Sequence, residues 1–230
     1  MYNIKRKGIY IMQFVNFLFD LDGTLSDPQK GIIYSMQYAL KSFGIDEEYE
    51  KLKKYIGPPL YSMFAEYLPE EKIDEAIAKY RERYSVTGIY ENEMYDGILK
   101  VLQSIKKNGG KVFLATSKPQ EYATEILKYF CIDEYFDSIA GSSMNNNHET
   151  KKDVIEKIFL QNDIDKESSV MIGDREHDII GAKQAGIDAV GVLYGFGDTT
   201  ELETQGPLYI ADTVEKLNAW ILQSMKRGVM

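Results

Sequence analysis

Short apolar runs alternate with helical patterns along most of the chain. Four of these runs are strong and two are weaker. The strong runs are 14–19, 111–115, 169–172 and 188–193, and the weaker ones are 136–140 and 208–211. Their nearly continuous apolar character is typical of parallel strands covered by helices on both faces. The pattern therefore predicts an α/β fold with a three-layer core built on a parallel sheet.

A long helical segment interrupts this alternation between the first two strong strands. The gap is far longer than a single crossover helix needs. Within it, apolar residues recur at spacings of three and four: Ile32, Met36, Ala39, Leu40 and Phe43. This spacing predicts an amphipathic helix that Gly44 can end in the left-handed conformation. Pro58 and Pro59 then predict a new helix from about Leu60.

The inserted segment is also rich in tyrosine. Ten of the chain's 17 tyrosines fall in it, at positions 34, 38, 49, 55, 61, 67, 80, 84, 90 and 95. We favour the interpretation that these amphipathic side chains lie where a thin helical core meets water. The alternative, that some of the hydroxyls line a substrate cleft, stays open. We expect an α/β core domain formed by residues 1–27 and 96–230, with residues 28–95 inserted as an α-helical domain.

The charge and the cysteine content bear on the binding partners and on the location of the protein. The 230 residues include 27 Lys and Arg against 36 Asp and Glu, a net charge of −9. Because binding to a phosphate backbone needs clustered cations, we expect no nucleic-acid partner. The single cysteine, Cys131, cannot form an internal disulfide, which favours a cytoplasmic location.

No apolar run approaches the roughly 18 residues of a membrane span, so we expect no membrane partner. The basic and then apolar residues near the start are too soon interrupted by polar residues to form a signal peptide. We interpret residues 1–11 as an extension ahead of an alternative start at Met12.

Two carboxylates, Asp20 and Asp22, stand directly after the first predicted strand. At the carboxyl end of a parallel sheet, both can point into the crevice where ligands bind. Two close carboxylates repel each other and need a cation or a shared proton, and Mg²⁺ prefers such oxygen ligands. A calcium-binding turn or a ligand-free polar turn would fit Asp-x-Asp-Gly as well, but the preceding strand and Thr24 favour a site.

A second acidic pair, Asp174 and Asp178, follows the strand at 169–172. If a helix begins here, the spacing of four places both carboxylates on one face, within reach of one cation. Compensation of the helix dipole would explain Asp178 equally well. Asp174 has no such ordinary explanation, because it stands immediately behind an apolar run and a glycine.

Two hydroxyl residues and two lysines stand at the starts of two further predicted helices. Thr116 and Ser117 end the second strong strand, where they could bind phosphate or simply cap a helix. Lys151, with Lys152 beside it, stands at the start of the helix predicted at 152–160, where the dipole disfavours a cation. An anion held nearby would explain such a lysine, although a solvated lysine is the commoner outcome.

In chain order, these elements resemble the motifs of the haloacid dehalogenase-like hydrolases. The elements are Asp20-x-Asp22-Gly23-Thr24, Thr116 with Ser117, Lys151, and Gly173-Asp174 with Asp178. More narrowly, the chain resembles the phosphoglycolate phosphatase-like branch, in which a helical cap of the C1 type lies between the first motif and the second strand. The resemblance covers residues 13–220 and implies a Rossmann-like core with residues 28–95 as the cap.

The resemblance implies a magnesium-dependent phosphatase acting on a small-molecule phosphate monoester through an aspartyl-phosphate. It implies that Asp20 attacks the phosphorus, while Asp22 protonates the leaving alcohol and then activates water. The implied Mg²⁺ ligands are Asp20, the main-chain carbonyl of Asp22 and Asp174, with Asp178 either as a further ligand or behind the ligands.

The implied phosphate-binding residues are Gly23, Thr116, Ser117 and Lys151. Of these, Thr116 and Lys151 would also offset the charge of the transferring phosphoryl group. Lys152 could take the part of Lys151, which we prefer because relatives place this lysine three residues before an aliphatic pair. His148 stands in a loop where relatives often carry arginine.

Other activities remain to be weighed. A sugar phosphomutase of the same branch would keep every residue named above, whereas a dehalogenase would have no need of Asp22. A phosphonate hydrolase would need a cap lysine, and Lys51, Lys53 and Lys54 look like a solvated helix face. A non-enzymatic phospho-acceptor module is disfavoured, because such modules are much shorter and lack a helical insertion. A catalytically inactive binding protein is disfavoured, because no motif position is substituted.

The substrate stays open at this point. Phosphoglycolate, a nucleoside monophosphate, a sugar phosphate, pyrophosphate and a phosphotyrosine-like ester fit the core equally. We expect a small-molecule phosphate ester as the partner and a monomer or homodimer as the assembly.

Overall fold

The computed structural model describes residues 13–57, 60–144 and 149–225. Pro58, Pro59, His148 and the predicted extension at 1–11 lie outside these ranges. The strands, in chain order, are β1 (Asn16–Phe19), β2 (Ser26–Asp27), β3 (Glu93–Met94), β4 (Lys111–Pro119), β5 (Ser138–Ser142), β6 (Ser169–Gly173), β7 (Asp188–Val192) and β8 (Tyr209–Ala211).

The helices alternate with these strands outside the inserted segment. They are α1 (Gln29–Lys41), α2 (Tyr49–Leu52), α3 (Leu60–Ala65), α4 (Glu70–Tyr84), α5 (Ile98–Lys107), α6 (Gln120–Tyr129), α7 (Lys151–Gln161), α8 (Glu176–Ala185), α9 (Thr199–Gln205) and α10 (Val214–Ser224). None of the helices in the described ranges is long and apolar enough to cross a membrane.

Six strands form one parallel sheet in the order β5-β4-β1-β6-β7-β8. All six coincide with the predicted apolar runs, so the predicted parallel sheet is confirmed. β1 lies between β4 and β6, and its last residue, Phe19, pairs with Leu114 and Ile172. The carboxyl ends of these three strands therefore meet at one edge of the sheet.

Helices cover both faces of the sheet, as the apolar character of the strands requires. Phe17 and Phe19 share one buried cluster with α5, α6 and α10, whereas Leu18 shares another with α7 and α8. Successive residues of β1 point to opposite faces because the side-chain period of a strand is two. The predicted three-layer α/β core is confirmed.

The segment between β2 and β3 is helical and contains α1 to α4. β2 and β3 pair antiparallel, Ser26 with Met94, so the chain enters and leaves this segment side by side. Gly31 of α1 passes close to Gly88, and a Cβ on Gly31 would lie 1.9 Å from the Gly88 carbonyl oxygen. Gly44 follows α1 with a φ of 76°, the left-handed conformation predicted for it.

The centre of the sheet should be sensitive to loss of side-chain volume. Leu18 is fully buried in β1, so we expect Leu18→Ala to lower the free energy of unfolding by about 2–5 kcal/mol. Leu160 on α7 is 85% exposed, so Leu160→Ala should change it by less than about 0.5 kcal/mol. Urea denaturation of both variants measures the difference, and similar effects would contradict the described packing.

Candidate active site

A cavity of about 520 Å³ lies between the carboxyl ends of the central strands and the helical segment. Its lining includes every predicted site residue except Gly23, namely Asp20, Asp22, Thr116, Ser117, Lys151, Asp174 and Asp178. Residues separated by more than 150 positions in the chain are thus brought together at the sheet edge. The volume is within the range of small-molecule binding sites.

Three carboxylates form a cluster at the floor of the cavity. Asp20, Asp174 and Asp178 each offer an oxygen within 4.8 Å of the other two. Burial and then the charges of Asp178 and Asp20 raise the pKa of Asp174 well above its usual range. Burial likewise raises the pKa of Asp178, although Lys151 opposes this shift. The cluster thus concentrates negative charge away from water, which is the environment of a divalent cation site.

Asp174 is held in place from two sides. Thr24 Oγ1 donates to its Oδ1 at 3.4 Å, and the Phe196 N–H donates to its Oδ2 at 2.8 Å. Gly23 has a φ of 80°, and a Cβ there would lie 2.1 Å from Asp174 Oδ2. Gly23 therefore leaves room for this carboxylate. Its own N–H donates to the Ser26 carbonyl at 2.8 Å, and its predicted phosphate contact stays a prediction.

Asp178 serves the start of α8 as well as the cluster. Its Oδ2 accepts from the Arg175 N–H at 3.1 Å, so it satisfies one backbone donor of the helix start. A Cβ on Gly173 would lie 2.1 Å from Asp178 Cγ, so this glycine is needed for the close approach. The capping explanation and the cation explanation therefore both apply to Asp178.

Lys151 is buried beside the carboxylates at the first position of α7. Its Nζ lies 3.0 Å from Asp20 Oδ1 and 2.8 Å from Asp178 Oδ1, and it donates to the Ala115 carbonyl at 3.1 Å. Burial disfavours the charge, but these two carboxylates outweigh it and raise the pKa of Lys151. Lys152 is exposed, so the geometry places Lys151 rather than Lys152 in the cluster.

The hydroxyls predicted for phosphate binding lie at the end of β4. Thr116 is buried and its Oγ1 accepts from the Lys118 N–H at 3.2 Å, while Ser117 is exposed toward the cavity. The strand continues to Pro119 and α6 begins at Gln120. Both hydroxyls therefore lie shortly before the start of a helix.

Sequence reasoning gave no role to Lys118, which ion-pairs with Asp22. Burial raises the pKa of Asp22, and the charge and hydrogen bond of Lys118 oppose that shift. The available signal was its position directly after Thr116 and Ser117. It was not sufficient, because the direction of a lysine side chain depends on the fold around it.

Two arginines that sequence reasoning also left aside connect the sheet edge with the helical segment. Arg175 Nη1 donates to the Ile56 carbonyl at 2.9 Å, and its Nε donates to Glu201 at 2.7 Å. From the other side, Arg81 Nη2 donates to the Met144 carbonyl at 2.8 Å. Each arginine therefore spans from one part of the chain to a backbone oxygen of the other across the cavity.

Tyrosines of α4 form part of the cavity wall. Tyr80 and Tyr84 stack with ring centroids 5.3 Å apart, and Tyr122 of α6 contacts the edge of Tyr84. Tyr80 and Tyr84 are largely buried and also line the cavity. Core packing and cavity lining, which the sequence presented as alternatives, therefore coincide at these two residues.

The sheet, the insertion and the acidic cluster together define the haloacid dehalogenase-like hydrolases. Residues 17–192 match the family model of the haloacid dehalogenase-like hydrolases, and the chain belongs to this family. The family membership predicted from the motifs is confirmed.

Individual relatives are similar over almost the whole chain. A 5′-nucleotidase from Pseudomonas aeruginosa is 42% identical over 205 residues, which cover 87% of this chain and 93% of the relative. The structure of a predicted phosphatase from Clostridium acetobutylicum is 42% identical with a TM-score of 0.86, covering 92% of this chain and 99% of that one. These matches support the prediction of a phosphatase.

A third relative is named as a kinase and not as a phosphatase. The tyrosine-protein kinase PtkA from Mycobacterium tuberculosis is 38% identical over 181 residues, which cover 78% of this chain. The match covers 62% of PtkA, so more than a third of that protein lies outside the shared region.

Removal of one buried charge should stabilise the metal-free protein. Because burial raises the pKa of Asp174 in the folded state, its ionisation costs stability as the pH rises above the usual aspartate range. We expect Asp174→Asn to raise the melting temperature in EDTA at pH 7, by about 2–4 °C per kcal/mol of relieved repulsion. The difference should shrink as the pH is lowered and vanish below the usual aspartate range, where the wild-type carboxyl is protonated in both the folded and the unfolded state.

The exposed Asp163 provides the matched control, and Asp163→Asn should leave the melting temperature unchanged. Thermal melts of the three proteins across this pH range measure the effect. A lower melting temperature of Asp174→Asn at pH 7 would show that the cluster is not under electrostatic strain.

Proposed function

We propose that the protein is a magnesium-dependent phosphatase that hydrolyses small-molecule phosphate monoesters through an aspartyl-phosphate on Asp20. The observation that carries the proposal is the convergence of Asp20, Asp174, Asp178 and Lys151 in one cavity. The family membership and the nucleotidase relative support it.

The residues present fit a magnesium ion. The carboxylates of Asp20, Asp174 and Asp178 converge on one point. Burial, and after it the charge of Asp20, raises the pKa of both Asp174 and Asp178. Asp20, Asp174 and Asp178 would hold the ion, together with the main-chain carbonyl of Asp22. When bound, Mg²⁺ would offset the negative charge of the nucleophile and of the substrate phosphate.

We assign the role of nucleophile to Asp20. In the proposed reaction its carboxylate oxygen forms a bond to phosphorus while the bond from phosphorus to the ester oxygen breaks. Asp22 gives a proton to the departing alcohol and later takes one from the water that hydrolyses the acyl phosphate. Thr116, Ser117 and Lys151 would bind the phosphoryl oxygens and offset their charge.

The wall opposite the carboxylates favours a leaving group with a planar or apolar part. Tyr80, Tyr84 and Tyr122 line this side of the cavity, together with Ile32 and Ile77. Aromatic rings present large flat surfaces that stack on other rings. With the 5′-nucleotidase relative, this makes nucleoside 5′-monophosphates the first substrates to examine.

We infer that residues 28–95 act as a cap on a core formed by residues 1–27 and 96–230. The paired β2 and β3 support a hinge at Asp27–Pro28 and Tyr95–Gly97, since both connections run side by side. Opening would break the bonds of Arg175 to Ile56 and of Arg81 to Met144. Substrate could then enter the cavity and be enclosed again.

The chemical proposal can be tested with p-nitrophenyl phosphate. We expect hydrolysis with Mg²⁺, loss of activity in EDTA with recovery on adding Mg²⁺, and a loss of at least about 10³-fold in Asp20→Asn. Asp163→Asn, the same change at an exposed position, should keep full activity. Full activity of Asp20→Asn would overturn the proposed nucleophile, and a panel of nucleoside 5′-monophosphates and sugar phosphates then defines the substrate.

Cap movement can be followed by small-angle X-ray scattering. We expect a smaller radius of gyration with Mg²⁺ and vanadate, a phosphate mimic, than without them, because the ligand favours the closed arrangement. Arg175→Met removes a bond across the cavity and should shift the ligand-bound profile toward the open one. Identical wild-type profiles with and without vanadate would contradict the hinge.

A further inference from the structure

Lys118 controls the immediate surroundings of Asp22. Within the described ranges, every hydrogen bond to the Asp22 carboxylate comes from Lys118 Nζ, which bonds Oδ2. Asp22 Oδ1 is buried and has no partner among these residues. The side chains of Lys118 and Asp22 are 7% and 19% exposed, so water contributes little to holding them. The direction of the Asp22 carboxylate therefore depends on one lysine.

Lys118 in turn lies against the helical segment. Its Nζ is 5.2 Å from the ring centroid of Tyr84, a cation–π distance. Tyr84 belongs to α4 and is fixed by the stacked Tyr80 and the edge contact of Tyr122. A chain of contacts thus runs from the proposed cap, through Lys118, to Asp22.

Lys151 and Lys118, whose side chains are 4% and 7% exposed, contact different carboxylates of the cavity. Lys151 contacts Asp20 and Asp178, which belong to the acidic cluster, whereas Lys118 contacts Asp22, which does not. A lysine needed only to reduce the charge of the cluster would lie beside the cluster. Lys118 instead lies between the proposed acid and the wall that the leaving group would face.

We propose that Lys118 is a positioning residue that holds the carboxyl group of Asp22 toward the leaving group when Tyr84 closes over it. The inference rests on the proposed function. In the step concerned, the bond from Asp20 to phosphorus forms, the bond from phosphorus to the ester oxygen breaks, and the proton of Asp22 passes to that oxygen. Lys118 neither gives nor takes a proton.

A comparison of leaving groups separates this role from a structural one. p-Nitrophenolate leaves without a proton because its charge is delocalised, whereas phenolate gains more from protonation. A misplaced acid should therefore harm phenyl phosphate more than p-nitrophenyl phosphate, two esters of nearly equal shape. For Lys118→Met we expect kcat/KM to fall on the order of 10²-fold for phenyl phosphate and less than about 10-fold for p-nitrophenyl phosphate.

Further variants keep the test decisive if Lys118→Met folds poorly. Lys118→Arg should recover part of the phenyl phosphate activity. For Tyr84→Leu we expect kcat/KM to fall about 5-fold more for phenyl phosphate than for p-nitrophenyl phosphate, because a cation–π contact is lost. Tyr84→Phe keeps the ring and removes a hydroxyl that has no partner among the described residues, so it should show no such preference. Lys166→Met is the control, since Lys166 pairs with Glu156 outside the cavity.

The leaving-group comparison and the Asp20→Asn variant test different parts of the argument. Equal losses on both esters for Lys118→Met and Tyr84→Leu would overturn the positioning role. If aryl esters are poor substrates of the wild type, acetyl phosphate and ethyl phosphate replace them, since acetate also leaves without a proton. Activity that survives Asp20→Asn would refute the proposed function, whereas inactive Asp20→Asn without a leaving-group effect would refute only this inference.

Discussion

Electrostatic repulsion among buried carboxylates is the constraint around which the cavity is organised. The carboxyl ends of β1 and β6 place Asp20 and Asp174 together, and the first turn of α8 adds Asp178. Folding does not separate these charges, because the sheet register fixes the strand ends. The structure compensates with Lys151 from α7 and hydrogen bonds from Thr24 and the Phe196 N–H. The remaining negative charge makes this edge of the sheet suitable for a divalent cation, and a bound cation would in turn attract a phosphate.

Close approach of backbone to carboxylate explains why glycines accompany the acidic residues. A Cβ on Gly23 would overlap Asp174, and a Cβ on Gly173 would overlap Asp178. In both cases the glycine belongs to a different turn or strand position from the carboxylate it accommodates. The Asp-x-Asp-Gly and Gly-Asp patterns are therefore two halves of one packing arrangement, which accounts for their joint occurrence in this chain.

The parallel sheet and the acidic residues were predictable because local patterns determine them. The apolar runs gave the six strands, and a carboxylate directly after a buried strand must lie at the sheet edge. Lys118, Arg175 and Arg81 were not predictable in the same way, because each long side chain bonds a residue more than 60 positions distant. The tyrosines could be predicted in part. Their concentration in residues 28–95 was evident, but only the folded arrangement shows that Tyr55, Tyr80 and Tyr84 are the ones that line the cavity.

The core and the inserted segment contribute differently to the cavity. The core supplies Asp20, Asp22, Asp174 and Asp178 as well as Lys118 and Lys151, and their placement follows from the strands and the helix starts. The inserted segment supplies apolar and aromatic wall residues, joined to the core by the arginine bonds and by the Lys118–Tyr84 contact. Reaction chemistry can therefore stay constant while the wall changes with the substrate. Since Lys118 contacts both parts, it is the place where, in the proposed reaction, the fit of the leaving group can influence Asp22.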